Sequence, residues 1–163
     1  MGFEFGFSTH TYDENREYIK DIFWFWCGWK NTDLYEALSK LSNEGYICAF
    51  SDTDIDCHIP IENLAFIETL YNRLYSNPHY VIYHKLLELE KDDFAQEYFN
   101  NLTIGQKAAF YLCFYFDDPK IIAFTRLLIE KIEYEGYFIV ESLYKAYQKA
   151  KEMNLKEVIL YRG

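Results

Sequence analysis

The chain has 163 residues, with 26 Asp and Glu against 16 Lys and Arg, and its formal net charge is −10 at pH 7. This length is enough to bury a proper core without disulfides, so we expect one helical domain over residues 1–163. The acidic balance argues against binding DNA, RNA or an anionic membrane, because phosphate groups need a basic footprint. The charge therefore favours a basic protein as the partner.

The cysteines and the N-terminus indicate a cytoplasmic protein. Cys27, Cys48, Cys57 and Cys113 are irregularly spaced, and the first residues show neither the basic nor the apolar segment of a secretion signal. Reduced thiols are the expectation. The longest apolar runs, such as 110–116, are far shorter than the ~20 residues of a membrane span.

The first fifty residues predict strands at both ends and helices between them. Phe3, Phe5 and Phe7 alternate with small or polar residues, which indicates a short half-buried strand. Apolar residues recur at helical steps over residues 13–29, and Gly28 is expected to end that helix. A second helix is predicted over 33–44. Residues 46–50 are apolar and β-prone, and form a candidate strand to pair with the N-terminus.

The middle of the chain predicts a loop and then helices. Residues 51–60 contain Ser, Thr, Asp and Pro60, which favour a loop. Helical spacing returns over 61–75 with Leu64, Ile67 and Leu70 facing inward, and ends before Pro78. Another helix is predicted over 80–90, and 92–100 either continues it or forms a separate turn.

The last third carries the clearest helix signals. Thr103 and Gln106 form a capping box that opens a helix to residue 116, which we expect to be the most buried because it is apolar almost all round. Asp118 and Pro119 start a helix predicted to end at Glu135. A final helix is predicted over 137–153, and 158–161 is either a strand or a frayed tail. The fold class is mainly α: six or seven helices with a small β element from the N-terminus, residues 46–50 and the C-terminus.

One acidic stretch carries most of the net charge. Residues 33–68 hold eight acids against one base, Lys40, a balance of −7 (1 − 8), so all other residues together contribute −3. Aromatic residues make up 20% of the chain and include 16 tyrosines, some of which must lie at the surface and can anchor a partner. The predicted partner-binding surface consists of Glu44, Tyr46, Asp52, Asp54, Asp56, Glu62, Glu68 and Tyr71.

The same stretch only partly matches a calcium loop. Asp52, Asp54 and Asp56 occupy the first, third and fifth positions. The sixth position, which should be Gly, is Cys57, and the twelfth, which should be Glu, is Asn63. A solvated acidic loop is the better interpretation.

No other pattern predicts a metal site, a cofactor or catalysis. Cys48, Cys57 and His58 match no zinc spacing, and His79 and His84 are five residues apart, so a helix would not place them on one face. The sequence shows neither a nucleophile motif nor a phosphate-binding glycine loop. We therefore predict a protein that is not an enzyme, with no catalytic residue, cofactor or metal ligand.

Two segments carry a family resemblance. Residues 102–112, LTIGQKAAFYL, resemble a capped helix of small helical immunity proteins from bacterial toxin systems, where Leu-Thr-x-x-Gln-(Lys/Arg)-x-Ala precedes an apolar run. The order of residues 25–29, a helix, an apolar stretch and Ile59-Pro60 is similar to small bacterial families from the same gene neighbourhoods. The resemblance implies cytoplasmic protection against a delivered toxin, and it transfers no functional residue to this chain.

Three functions follow as hypotheses. The first is an immunity or inhibitor protein that covers the active site of a basic toxin enzyme, with a nuclease as the best fit because its surface holds phosphates. The second is a nucleic-acid mimic or regulatory adaptor that binds a basic DNA-binding protein. The third is a small metal-dependent hydrolase, which elemental analysis would reveal.

Overall fold

The computed structural model describes residues 4–8, 11–12, 18–20, 24–29, 57–131 and 136–162. The strands in this part of the chain are β1 Glu4–Ser8, β2 Thr11–Tyr12, β3 Tyr18–Lys20, β4 Trp24–Trp29, β5 Cys57–Pro60 and β6 Glu157–Arg162. A 3₁₀ turn, Ile61–Leu64, precedes the helices, which are α1 Ala65–Tyr75, α2 Pro78–Glu88, α3 Asp92–Asn100, α4 Ile104–Leu112, α5 Pro119–Lys131 and α6 Gly136–Glu152. The mainly helical class is confirmed.

Four of the strands form one antiparallel sheet in the order β4-β1-β6-β5. The predicted N-terminal strand is confirmed, and of the two interpretations of 158–161 the strand is the correct one: it pairs with β1, where Phe7 lies opposite Leu160. Strands β2 and β3 form a separate two-stranded sheet. The sheet is thus larger than the sequence predicted, and the C-terminal strand lies inside it.

The helix predicted over 13–29 is wrong, because this region supplies β3 and β4. Its apolar residues do recur at helical steps, but the run from Trp24 to Trp29 is aromatic and uncharged, which suits a strand packed against a neighbour. Pairing with β1 provides hydrogen-bond partners for the backbone of β4. The register shifts between Phe5 and Gly6, which lie opposite Gly28 and Trp26, so Cys27 forms a bulge.

The loop predicted over 51–60 is also partly wrong, because Cys57–Pro60 is strand β5, paired with β6. The Pro60 nitrogen has no hydrogen to donate, and Pro60 stands at the end of an edge strand, where this costs little. The helix predicted over 33–44 and the strand predicted over 46–50 lie outside the described residues.

Local capping marks where α2 and α4 begin. The side chain of Asn77 accepts hydrogen bonds from the backbone N–H groups of His79 and Tyr80, and Pro78 opens α2. The predicted capping box is confirmed: Thr103 N–H donates to Gln106 Oε1 at 2.9 Å, and Gln106 N–H donates to Thr103 Oγ1 at 3.2 Å.

The later helix boundaries are confirmed in part. Asp118 accepts from the backbone N–H of Lys120 at 2.9 Å, and Pro119 begins α5 as predicted. Residues 132–135, which include the predicted end at Glu135, lie outside the described residues. The helix predicted over 137–153 is α6, and it is followed by Asn154 in the left-handed conformation that asparagine tolerates at a helix end.

Helix α6 lies at the centre of the packing. It contacts helices α1 and α5 and also strands β1, β4 and β6. Its inward positions are fully buried, and two of them are alanines, which allow the neighbouring elements to come close. These positions are Val140, Leu143, Ala146 and Ala150.

The prediction that α4 is the most buried helix is wrong. Phe110 is its only buried residue, whereas Ile104 is 89% exposed and Leu112 is 65% exposed. The helix also ends at Leu112, four residues before the predicted end at Phe116. One apolar side of α4 therefore faces solvent.

The capping box yields a stability prediction. Thr103→Ala removes the oxygen that accepts the Gln106 N–H, and we expect the free energy of unfolding to fall by about 1 kcal/mol in urea denaturation. Thr103→Ser is the control and should retain most of the stability, because it keeps the acceptor. Equal losses in the two variants would contradict the capping role.

Candidate functional site

The structure describes three of the eight residues predicted to bind a partner. Glu62 is exposed in the 3₁₀ turn. Glu68 lies 3.5 Å from the ammonium of Lys151 on α6. Tyr71 is half-buried and stacks on Tyr144 of α6 with 3.6 Å between ring centroids, so its ring packs within the fold. The other five, Glu44, Tyr46, Asp52, Asp54 and Asp56, lie outside the described residues.

Helix α4 presents an apolar face to solvent. Ile104, Ala108, Tyr111 and Leu112 are all exposed and lie on one side of the helix, and Tyr115 extends this face beyond the helix end with 64% of its surface exposed. We call these five residues the α4 face. Exposed apolar side chains that lie together in this way make the α4 face a candidate binding surface.

A shallow groove of about 760 Å³ lies beside the α4 face. Gly105, Ala109 and Leu112 form one wall, and Pro78 and His79 from the start of α2 form part of the other. The groove is open, which suits the side chain of a partner protein better than an enclosed small molecule.

The segment that carries the α4 face is itself acidic. Residues 88–118 hold seven acids against two bases, a balance of −5 (2 − 7), and the residues outside this segment and 33–68 sum to +2 (−10 + 7 + 5). All seven acids are exposed: Glu88, Glu90, Asp92, Asp93, Glu97, Asp117 and Asp118. Sequence reasoning missed this second stretch because it averaged the charge over everything outside 33–68. A running local sum would have found it.

An acidic group directly contacts the α4 face. The hydroxyl of Tyr115 donates to Asp117 Oδ1 at 3.0 Å, and this hydrogen bond raises the pKa of Tyr115. On the α3 side, Phe99 packs edge-on against Tyr111 with 6.0 Å between ring centroids. The α4 face therefore adjoins both the acidic turn 117–118 and helix α3.

A second constellation forms where α2 meets α6. His84 is 4% exposed and lies between two carboxylates: its Nδ1 is 3.6 Å from Glu88 Oε1, and its Nε2 is 3.3 Å from Glu141 Oε2. The other oxygen of Glu141 is 2.9 Å from the ammonium of Lys145. His84, Glu88 and Glu141 are the described residues whose side chains could hold a metal ion.

The charges of this cluster and its burial determine the ionisation of its neighbours. The contact with His84 and the ammonium of Lys145 lower the pKa of Glu141 to about 2, against the opposing effect of burial. Burial and the charge of Glu141 raise the pKa of Tyr75, whose ring lies 5.6 Å from the His84 ring. Tyr75 also stacks on Tyr71. Glu141 is thus held as a carboxylate beside neutral phenols.

His79 and Cys113 have structural contacts. His79 Nδ1 is 2.7 Å from the hydroxyl of Tyr98, so His79 and His84 belong to different clusters. Cys113 is buried, its thiol donates to the Ala109 carbonyl at 3.5 Å, and burial raises its pKa. A raised pKa makes a thiol a weak nucleophile.

Comparison with known protein families, with curated proteins and with solved structures found no match. Among the described helices, none combines the length and the apolar character needed to cross a bilayer.

The lowered pKa of Glu141 yields a prediction on stability and pH. Because its folded-state pKa of about 2 lies below the ordinary value of 4.5, ionised Glu141 stabilises the fold above about pH 4.5, and this contribution disappears as the pH falls towards 2. Glu141→Gln should lower the free energy of unfolding by about 2 kcal/mol at pH 7 and by much less near pH 3, as measured by chemical denaturation.

Glu88→Gln is the matched control, because this carboxylate also faces His84 but is 51% exposed. Its replacement should cost less than about 1 kcal/mol at pH 7. A Glu141→Gln loss of equal size at pH 7 and pH 3 would contradict the electrostatic explanation.

Proposed function

We propose that this chain is a cytoplasmic immunity or inhibitor protein that binds a basic toxin enzyme, with a nuclease as the best fit, and blocks its active site. The observation that carries the proposal is the α4 face, an exposed apolar surface within a segment of balance −5. The resemblance of residues 102–112 to immunity proteins falls on this same helix.

The α4 face supplies the large side chains that can insert into the partner. Aromatic and large aliphatic side chains that insert into a partner dominate the binding energy of protein interfaces, and a polar rim keeps water out. Tyr111 and Tyr115 are amphipathic rings, and Leu112 lies at the groove, where a partner side chain can pack beside it. The partner must therefore offer an apolar patch complementary to α4.

The acidic residues determine which class of protein fits. A surplus of five negative charges over residues 88–118 attracts a surface rich in Lys and Arg and speeds association at low salt. Nuclease active sites carry such surfaces because they bind phosphates. In the complex, carboxylates such as Asp117 would occupy the positions of substrate phosphates, and the enzyme would lose access to nucleic acid.

The stretch 33–68 contributes to the same attraction through the total charge of −10. Its predicted contact residues remain predictions, with Glu62 exposed for direct contact and Glu68 already paired to Lys151. The α4 face and this stretch therefore make separable contributions, which variants can distinguish.

The test is capture of the partner from cell extract on the immobilised protein, followed by assays on the purified partner. We expect a basic protein that degrades nucleic acid and loses this activity when one equivalent of the chain is added. A captured DNA-binding protein without enzymatic activity would support the nucleic-acid mimic or regulatory adaptor instead. An acidic partner would contradict both.

Leu112→Asp tests the α4 face. The exposed leucine should tolerate replacement without unfolding, and the charge placed among the apolar anchors should weaken binding about tenfold or more in surface plasmon resonance. Met153→Asp is the control, since Met153 is an exposed apolar residue after α6, and it should bind as wild type. Association of the wild type should slow as salt rises. Wild-type affinity in Leu112→Asp would contradict the proposed interface.

A further inference from the structure

We propose that His84, Glu88 and Glu141 form a binding site for a divalent transition-metal ion, with Zn²⁺ as the ligand that fits best. One ring nitrogen of His84 and one carboxylate oxygen from each glutamate lie within 4.8 Å of one another. Imidazole and carboxylate are common zinc ligands, and imidazole favours zinc over the hard cations Ca²⁺ and Mg²⁺.

Helices α2 and α6 bring the three side chains together. His84 and Glu88 are four residues apart on α2, so the helix brings them onto one face, and Glu141 reaches them from α6. The sequence analysis missed the pair of His84 and Glu88 because it compared His84 only with His79. The signal that would have found it is the spacing His-x-x-x-Glu within a predicted helix.

The distances allow the site to close around an ion. Tetrahedral zinc with bonds of about 2.1 Å holds its ligand atoms about 3.4 Å apart. Nε2 of His84 is already 3.3 Å from Glu141 Oε2, whereas Glu88 Oε1 lies 3.6 Å from the other ring nitrogen, Nδ1. Because the Glu88 side chain is half-exposed, it can rotate towards Nε2 to complete the site. Three protein ligands leave a fourth position for water.

The surroundings hold two of the ligands in position. His84 is almost fully buried and its ring stacks on Tyr80 with 5.7 Å between centroids. Lys145 binds Oε1 of Glu141, which leaves Oε2 directed at the histidine. Hydrogen bonds from neighbouring groups to ligating carboxylates are the usual means of orienting them.

The cluster also has a purely structural interpretation, in which His84 links two helices through its carboxylate partners. A structural link requires only the folded chain, whereas the metal site predicts saturable uptake of one Zn²⁺ that depends on Glu88. This exposed carboxylate gives the decisive variant, because Glu88→Gln keeps its shape and its solvent-exposed position.

The experiment titrates ZnCl₂ into untagged, EDTA-treated protein by isothermal calorimetry, with melting temperature as a second readout. We expect one equivalent to bind and the melting temperature to rise, because the ion binds the folded state. Glu88→Gln and Glu141→Gln should bind at least about tenfold more weakly. Glu97→Gln, an exposed carboxylate on α3, is the control and should behave as wild type.

Three results would overturn the site. The first is a wild-type titration with Zn²⁺ that shows neither heat nor stabilisation, and the second is an affinity unchanged by Glu88→Gln. The third is a Co²⁺ absorption spectrum with the intense charge-transfer band of thiolate ligands, which would assign the ion to cysteines. A Co²⁺ spectrum free of that band and lost in Glu88→Gln would support the assignment.

Discussion

The burial of α6 between helices and sheet is the constraint on which the rest of the structure depends. Ala146 and Ala150 are fully buried, and such small side chains let α1, α5 and the strands approach one helix from two sides. The chain then turns at Asn154 and enters the sheet as β6, between β1 and β5. The same helix thus supplies the core and brings the C-terminal strand to the N-terminal one. A larger residue at either alanine would push both layers apart, because interiors packed at crystal density have no room to absorb it.

The less buried side of α6 carries the polar contacts with its neighbours. Lys151 reaches Glu68 on α1, and Glu141 reaches His84 on α2. Between these contacts, Tyr71 stacks face to face on Tyr144. Aromatic stacking and partly buried charge contacts together fix the angle between helices more narrowly than apolar packing alone. The candidate metal ligands are consequently held by the same packing that forms the core, and a variant that loosens α6 would also disperse them.

Helix α4 differs from α6 in that it contributes little to the core. It contributes one buried side chain, Phe110, and holds its apolar residues in solvent, an arrangement that adds little to the stability of the isolated protein. Its position is maintained by the capping box and by rings packed around Phe110 and Phe99. The apolar side chains of such a surface contribute favourable free energy to binding when a partner covers them. The two candidate sites therefore differ physically, since the one at His84 is built into the core contacts and the one on α4 remains outside them.

The sequence by itself determined the helical class, the helix starts at Ile104 and Pro119, and the N-terminal strand. Each of these two helix starts depends on a cap within four residues, and the strand on local alternation, so short-range chemistry was sufficient. The sequence left residues 158–161 open between a strand and a tail, and pairing with β1 and β5 decided for the strand. Tertiary structure decided that Trp24–Trp29 is a strand, that α4 turns its apolar side outward, and that His84 meets Glu141. These outcomes depend on partners far away in the chain. An aromatic run fits a helix and a strand equally well until a neighbouring strand pairs with it. Apolar periodicity shows that a helix has an apolar face, but it does not show what covers that face.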